Sequence, residues 1–252
     1  MIKKLLKKSV RILVLSALFI QCATASEGFN FPLKRYVYQE SSKNGISITL
    51  SNNTAIPYLI ETWVSGTEEN AFLPAENIKE DKAPFIILPP LKKLESHHSY
   101  SWVIRRTGNE VNGKTLPQDR ESLFWIGMKA IPAENKSDSD GISFKISPEF
   151  YFKLLYRPSA IENITLADIE DKLVVKQNKN MLTLENPTPL FVTFDKLMAG
   201  NTELKDGNAL ITVEPFSSKD IVLPAGNEND VITWQINDEN LFELEKHTVT
   251  NK

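Results

Sequence analysis

Cysteine is all but missing from these 252 residues: Cys22 stands alone, so no intrachain disulfide can staple the fold and its cores must hold by their own size. Histidine is nearly as scarce, with three in the chain. His97 and His98 are adjacent, so on a strand they point to opposite faces and do not share a metal ion in the usual way, while His247 stands alone near the end and reads as a solvated side chain. There is no G-x-S-x-G, no H-E-x-x-H and no phosphate-cradling glycine loop. These absences leave no catalytic residue, no metal ligand set and no cofactor site to nominate. The chain reads as a binding protein, not an enzyme.

A long apolar run is also lacking. The stretch from Ile12 to Ile20 covers nine residues, against the roughly 20 that a helix needs to cross a bilayer. It follows Lys3, Lys4, Lys7, Lys8 and Arg11 and precedes Ala23-Thr24-Ala25. That order predicts a secretory signal peptide over 1–25, with Cys22 leaving in it. Gln21 stands where a lipoprotein leader carries a small residue, so lipidation of Cys22 is disfavoured. Removing 1–25 takes five of the 29 basic residues and none of the 32 acidic ones, leaving a net charge of −8. An acidic chain without a basic run argues against nucleic-acid or anionic-membrane binding, although a local basic spot can still grip a carboxylate. About 227 residues remain, which suits two domains.

What is there is short alternation of apolar and polar residues, punctuated by Asn, Pro, Gly and Asp. This is an all-β pattern. Strands are predicted over 31–38, 45–51, 58–64, 85–88, 100–106, 123–130 and 142–156, and seven strands match one immunoglobulin-like sandwich. Arg157-Pro158 interrupts the pattern, because proline cannot donate to a sheet ladder. The reading is therefore an N-terminal domain over 26–157 and a second sandwich over 158–252. Its strands are expected over 173–176, 181–185, 191–197, 209–213, 218–222, 231–236 and 242–248, with one helical turn within 167–172. Three segments, 66–81, 106–117 and 133–141, are polar enough to be surface loops.

The most unusual segment is ISFKISPEFYFKLLYRP, 142–158. Ile142, Phe144 and Ile146 share one face and Ser143, Lys145 and Ser147 the other. Such a strand either turns its apolar face into its own core or offers it at an edge to a partner. Pro148 can separate an exposed half from a buried half, 150–155.

LPQDRESLFWIGMKAIPA at 116–133, FKLLYRPSAI at 152–161 and LENPTPLFVTF at 184–194 resemble the periplasmic chaperones of chaperone–usher pili. So do RYVY at 35–38, IPYLIETWV at 56–64 and ILPPLKKLE at 87–95, and these blocks keep the family's order across nearly the whole mature chain. The resemblance implies two immunoglobulin-like sandwiches set as an L or boomerang, located in the periplasm. It implies a partner too: a pilus subunit that lacks its last strand and aggregates through the exposed groove. In this family the chaperone donates a strand to that groove and passes the subunit to an outer-membrane usher, with no cofactor. A chaperone pairing with itself through that strand stays open. A secreted pilus subunit or adhesin is the alternative, but subunits carry a donor extension at the mature N-terminus, and 26–31 is too short and too sparsely apolar to serve.

The resemblance also implies site residues. Ile142, Phe144 and Ile146 match the donor strand. Arg35 and Lys153 match the two basic residues that anchor the subunit's terminal carboxylate in the cleft between the domains, a task suited to charge-assisted hydrogen bonds. Glu121, Arg157 and Asp238 match a buried ion network that fixes the angle between the sandwiches, and Pro89, Pro90, Ile131 and Pro132 match an apolar area shown to the usher. Three features depart from the family pattern: Gly127 stands where asparagine is usual, Glu239-Asn240-Leu241 replaces Tyr-Gly-Gly after Asp238, and Pro148 falls in donor-strand phase.

Overall fold

The computed structural model describes residues 28–66, 83–111, 113–133, 146–207 and 209–249. In the N-terminal half, β1 (Phe29–Asn30), β3 (Ile46–Asn52), β7 (His98–Arg106) and β5 (Phe85–Leu88) form one sheet in the order β1-β3-β7-β5. The facing sheet is built from β2 (Arg35–Gln39), β11 (Glu149–Arg157), β10 (Ser122–Pro132), β4 (Tyr58–Ser65) and β6 (Leu91–Leu94), in that order. A small hairpin, β8 (Glu110–Val111) and β9 (Lys114–Thr115), stands apart. Alternation drives the packing: Ile48 and Leu50 of β3, Ile60 of β4, Trp102 and Ile104 of β7, Ile126 and Met128 of β10 and Leu154 of β11 are all fully buried between the sheets.

The second sandwich pairs β12 (Val174–Asn178), β13 (Met181–Asn186) and β17 (Ser217–Val222) in one sheet. The other holds β15 (Thr202–Glu203), β14 (Val192–Ala199), β18 (Ile232–Ile236) and β19 (His247–Val249), with β16 (Thr212–Val213) on β14. Its core is separate from the first and centres on Leu182, Leu184, Leu190, Val192 and Ile232. Two 3-10 turns, Ser159–Ile161 and Glu170–Lys172, link the halves, and the second lies inside the predicted helical turn.

Three strand expectations need correction. The strand expected over 31–38 begins only at Arg35, because 31–34 is the crossing by which the chain leaves β1, paired with β3, for β2, paired in parallel with β11. Pro32 sits at the crossing, where its missing N–H costs no ladder bond. Nor does 142–156 form one strand, since β11 begins at Glu149 and 146–148 belongs to no ladder. The last strand is shorter than the expected 242–248, because Asp238 closes a compact loop through Phe242.

Gly127 is a fourth point. It faces Trp63 across β10 and β4, and a Cβ placed on it would fall inside the indole. Tyr151 then packs edge-on against Trp63 at 6.1 Å. The glycine and the flat-lying tryptophan therefore form a matched pair. Gly127→Asn, which installs the family's usual residue, is expected to destabilise the protein by about 1–3 kcal/mol through overpacking. Urea unfolding checks it, and Trp63→Leu in the same chain should recover part of the loss.

Candidate functional site

Parallel pairing of β2 with β11 sets Arg35 beside Lys153. Both side chains emerge where the two sandwiches meet. The Lys153 ammonium donates to Thr193 Oγ1 at 3.1 Å and Thr212 Oγ1 at 2.6 Å, hydroxyls of β14 and β16 in the other domain. Burial, and then the like charge of Arg35, hold its pKa down to about 8, with Asp195 acting weakly the other way. Arg35 is buried, and its Nη2 donates to the carbonyls of Asn237, at 2.6 Å, and of Asp238. Its Nε is buried without a partner among the described residues. Neither cation is ion-paired there. The result is two adjacent, desolvated positive charges in an interdomain cleft, a site with an evident deficit of negative charge.

The edge of β11 next to this pair matters as much. β2 covers β11 only from Lys153 to Arg157, so on that side 150–152 has no strand neighbour among the described residues. Backbone groups at such an edge can template a further strand. A chain running parallel to β11 along this edge would take the lane of β2 and end facing Arg35 and Lys153.

Behind the cleft lies the buried ion network. Arg157 is flanked by Glu121 at 2.8 Å and Glu239 at 3.0 Å, and its Nη1 donates to Ile164 O. Glu121 Oε2 accepts the Phe191 N–H at 2.7 Å, tying the residue before β10 of one domain to the residue before β14 of the other. Burial pushes the Glu121 carboxyl up from its ordinary value, with Arg157 opposing. Leu123, Leu155 and Phe191 form a small buried apolar cluster of their own, drawn from both domains. At the linker, Glu40 accepts from Ser159 N–H and Oγ–H and pairs with Arg106, and its pKa is lowered to about 2, chiefly by the Ser159 N–H.

Glu121 and Arg157 thus meet as expected, and Asp238 does not join them. Its carboxylate turns onto the N–H groups of Asn240 and Phe242 in its own loop, and Glu239 supplies the second anion to Arg157. A pattern of residue types does not register which way a loop carbon points, so the resemblance named the second anion one position too early.

Of the donor-strand residues, Ile142 and Phe144 lie outside the described residues, as do 1–27; Ile146 is 81% exposed. Pro89 and Pro90 follow β5, with a cis bond between Leu88 and Pro89, and Ile131 and Pro132 end β10. Ile131 stands opposite Leu59 of β4, and Glu61 of β4 stands opposite Leu91 of β6. Leu59 and Leu91, 37% and 52% exposed, lie on the outer face of the sheet between Pro89-Pro90 and Ile131-Pro132. Sequence reading overlooked both, since an apolar residue on a strand is placed in the core by default. His247 needs correction as well: its ring stacks on Trp234 at 4.0 Å and its Nε2 pairs with Glu170 at 2.9 Å. It is half-buried, not loosely solvated.

Comparison with known proteins bears on both domains. A family profile described as "Pili and flagellar-assembly chaperone, PapD N-terminal domain" matches 29–162, and one described as "Pili assembly chaperone PapD, C-terminal domain" matches 168–239. The probable fimbrial chaperone protein ElfD of Escherichia coli K12 is 31% identical over 242 residues, 94% of each chain. Chaperone protein FimC of the same strain is 31% identical over 228 residues, 90% of this chain and 86% of its own. Among solved structures, the E. coli chaperone DraB matches at 29% identity with a TM-score of 0.69, over 89% of this chain and 97% of its own. The SafB chaperone of Salmonella enterica, solved in complex with the SafA pilin, matches at 26% identity with a TM-score of 0.71, over 91% and 99%.

Proposed function

The chain belongs to the PapD-like family of pilus assembly chaperones, and on that premise we propose that it acts in the periplasm, after loss of 1–25, by seating the carboxyl terminus of a pilus subunit on Arg35 and Lys153. The observation that carries this reading is the coincidence of two features: an unneutralised basic pair in the interdomain cleft, and a sheet edge on β11 that opens at the same pair. The subunit's last strand runs along that edge, parallel to β11, with its carboxylate on the two cations. Ile142, Phe144 and Ile146 then enter the subunit's groove. Burying each such side chain is worth roughly 1.5–3 kcal/mol before the costs of association. The domain boundary at 157–158 puts one cation of the ion network, Arg157, at the joint itself.

The strip of exposed Pro90, Leu91 and Leu59 with half-buried Ile131 on the outer sheet face supports docking to an outer-membrane usher, since it lies at the other end of β10 from the basic cleft. In the free protein the same donor strand serves as the contact of a self-capping dimer.

Co-expression with a pilus subunit from its own gene cluster tests the central reading. The subunit is expected to co-purify with the wild-type chaperone and not with an Arg35→Ala/Lys153→Ala variant whose circular dichroism is unchanged. Equal recovery with both would remove the anchor from the mechanism.

A further inference from the structure

We infer that Asp238 is a positioning residue for the carboxylate anchor: through its own loop it holds two backbone carbonyls against Arg35 and so aims the guanidinium into the cleft. The inference rests on the reading of Arg35 as an anchor. Three observations carry it. The Asp238 carboxylate accepts two N–H bonds from its own loop, Asn240 at 2.9 Å and Phe242 at 2.8 Å, while its backbone N–H donates to Phe242 O at 2.9 Å. These bonds close a five-residue loop in which Leu241 takes φ +68°, a left-handed conformation that a leucine holds only when its surroundings impose it. The carbonyls at the loop's start, Asn237 O and Asp238 O, are the acceptors of Arg35 Nη2.

The neighbouring groups divide the remaining work. Asp195 fixes Asn237 by accepting its N–H at 3.0 Å, and Glu239 is spent on Arg157 and on the Leu166 N–H. Asp238 is left to fasten the loop as an acceptor of hydrogen bonds, not as a counter-ion. With Nη2 occupied by the carbonyls, the other N–H groups of the guanidinium are held in one orientation, and a carboxylate meets donors already aimed. A guanidinium in a fixed plane loses less freedom on binding than one that must be ordered by the ligand.

The test uses the full mature protein and a decapeptide of alternating valine and threonine, prepared as the free acid and as the carboxamide. Arg35→Ala supplies the reference and should reduce affinity for the acid toward that for the amide. Asp238→Ala is expected to weaken acid binding about tenfold and to leave amide binding unchanged. Asp238→Asn, whose side-chain oxygen accepts the same two N–H bonds, should restore it. Wild-type acid affinity in Asp238→Ala, beside an impaired Arg35→Ala, overturns the inference alone. An Asp238→Asn variant as weak as Asp238→Ala makes the residue a charge of the ion network and overturns it too. An unimpaired Arg35→Ala, or a wild type that binds acid and amide alike, removes the anchor and the inference with it. Should Asp238→Ala not fold, amide exchange decides: Arg35→Ala should speed exchange at Leu241 and Phe242 about fivefold or more, and unchanged exchange overturns the coupling of loop to guanidinium.

Discussion

Arg157→Met is expected to lower the unfolding free energy by about 3–5 kcal/mol, the cost of leaving a buried charge without its partner. The arginine side chain is almost wholly buried between Glu121 and Glu239, and the Glu121 side chain is itself fully buried. Without the guanidinium, the hydrogen bond that remains to the Glu121 carboxylate among the described residues is that from the Phe191 N–H. Burial already raises its pKa against the opposing pull of Arg157, so the substitution raises it further. The sign then follows. A carboxyl whose folded pKa lies above its unfolded one costs stability when ionised, and the cost is fully present above the folded pKa and fades as pH falls through it. The deficit of Arg157→Met should therefore shrink on acidification, and Glu121→Gln in the same chain should recover part of it at neutral pH. Chemical denaturation at several pH values measures both. A variant within about 1 kcal/mol of wild type at pH 7 would show that the pair is far better solvated than its geometry implies.

Alkaline pH is expected to release the bound subunit terminus. Lys153 titrates at about 8 in the free protein, first because it is buried and second because Arg35 stands beside it. Since that value lies below the ordinary 10.5, the buried ammonium costs stability below about pH 8, and the cost disappears as pH rises toward the unfolded value. A carboxylate arriving at Arg35 and Lys153 supplies the missing negative charge and raises the lysine pKa, so binding takes up a proton above pH 8. Affinity should fall by up to about tenfold per pH unit above that point, until the pKa of the complex is reached. Lys153→Arg keeps its charge throughout this range and should bind with a flat profile, while Lys153→Met should bind weakly at every pH. Isothermal titration with a carboxyl-terminal subunit peptide at pH 7 and pH 9.5 decides the matter; equal wild-type affinities would rule out a titrating lysine in the site.

The two sandwiches were legible because strand burial has a period of two and the apolar residues of β3, β4 and β7 keep it, although in β10 the run from Leu123 to Met128 is buried on both faces. The alternation also fails at the end of β11, where Leu154, Leu155, Tyr156 and Arg157 are all buried. There the second domain covers the face that would otherwise meet water, through Phe191 on Leu155 and Glu239 on Arg157. What sequence did not disclose shares one cause, dependence on a distant segment. Gly127 is intelligible only with Trp63 lying across it, and His247 only with Trp234 beneath it. Glu239 stands in for Asp238 only because the loop after β18 folds back on the Asp238 carboxylate.

β2 begins at Arg35, level with Lys153. A strand alternates its side chains with a period of two, so fixing the last residue of a docked chain at that point also fixes the parity of every residue before it. One residue more or less at the end exchanges the two faces along the whole length. As the proposed anchor, the basic pair would work as the zero mark of a ruler, and a chain trimmed to the wrong count would present its polar side where an apolar one is required.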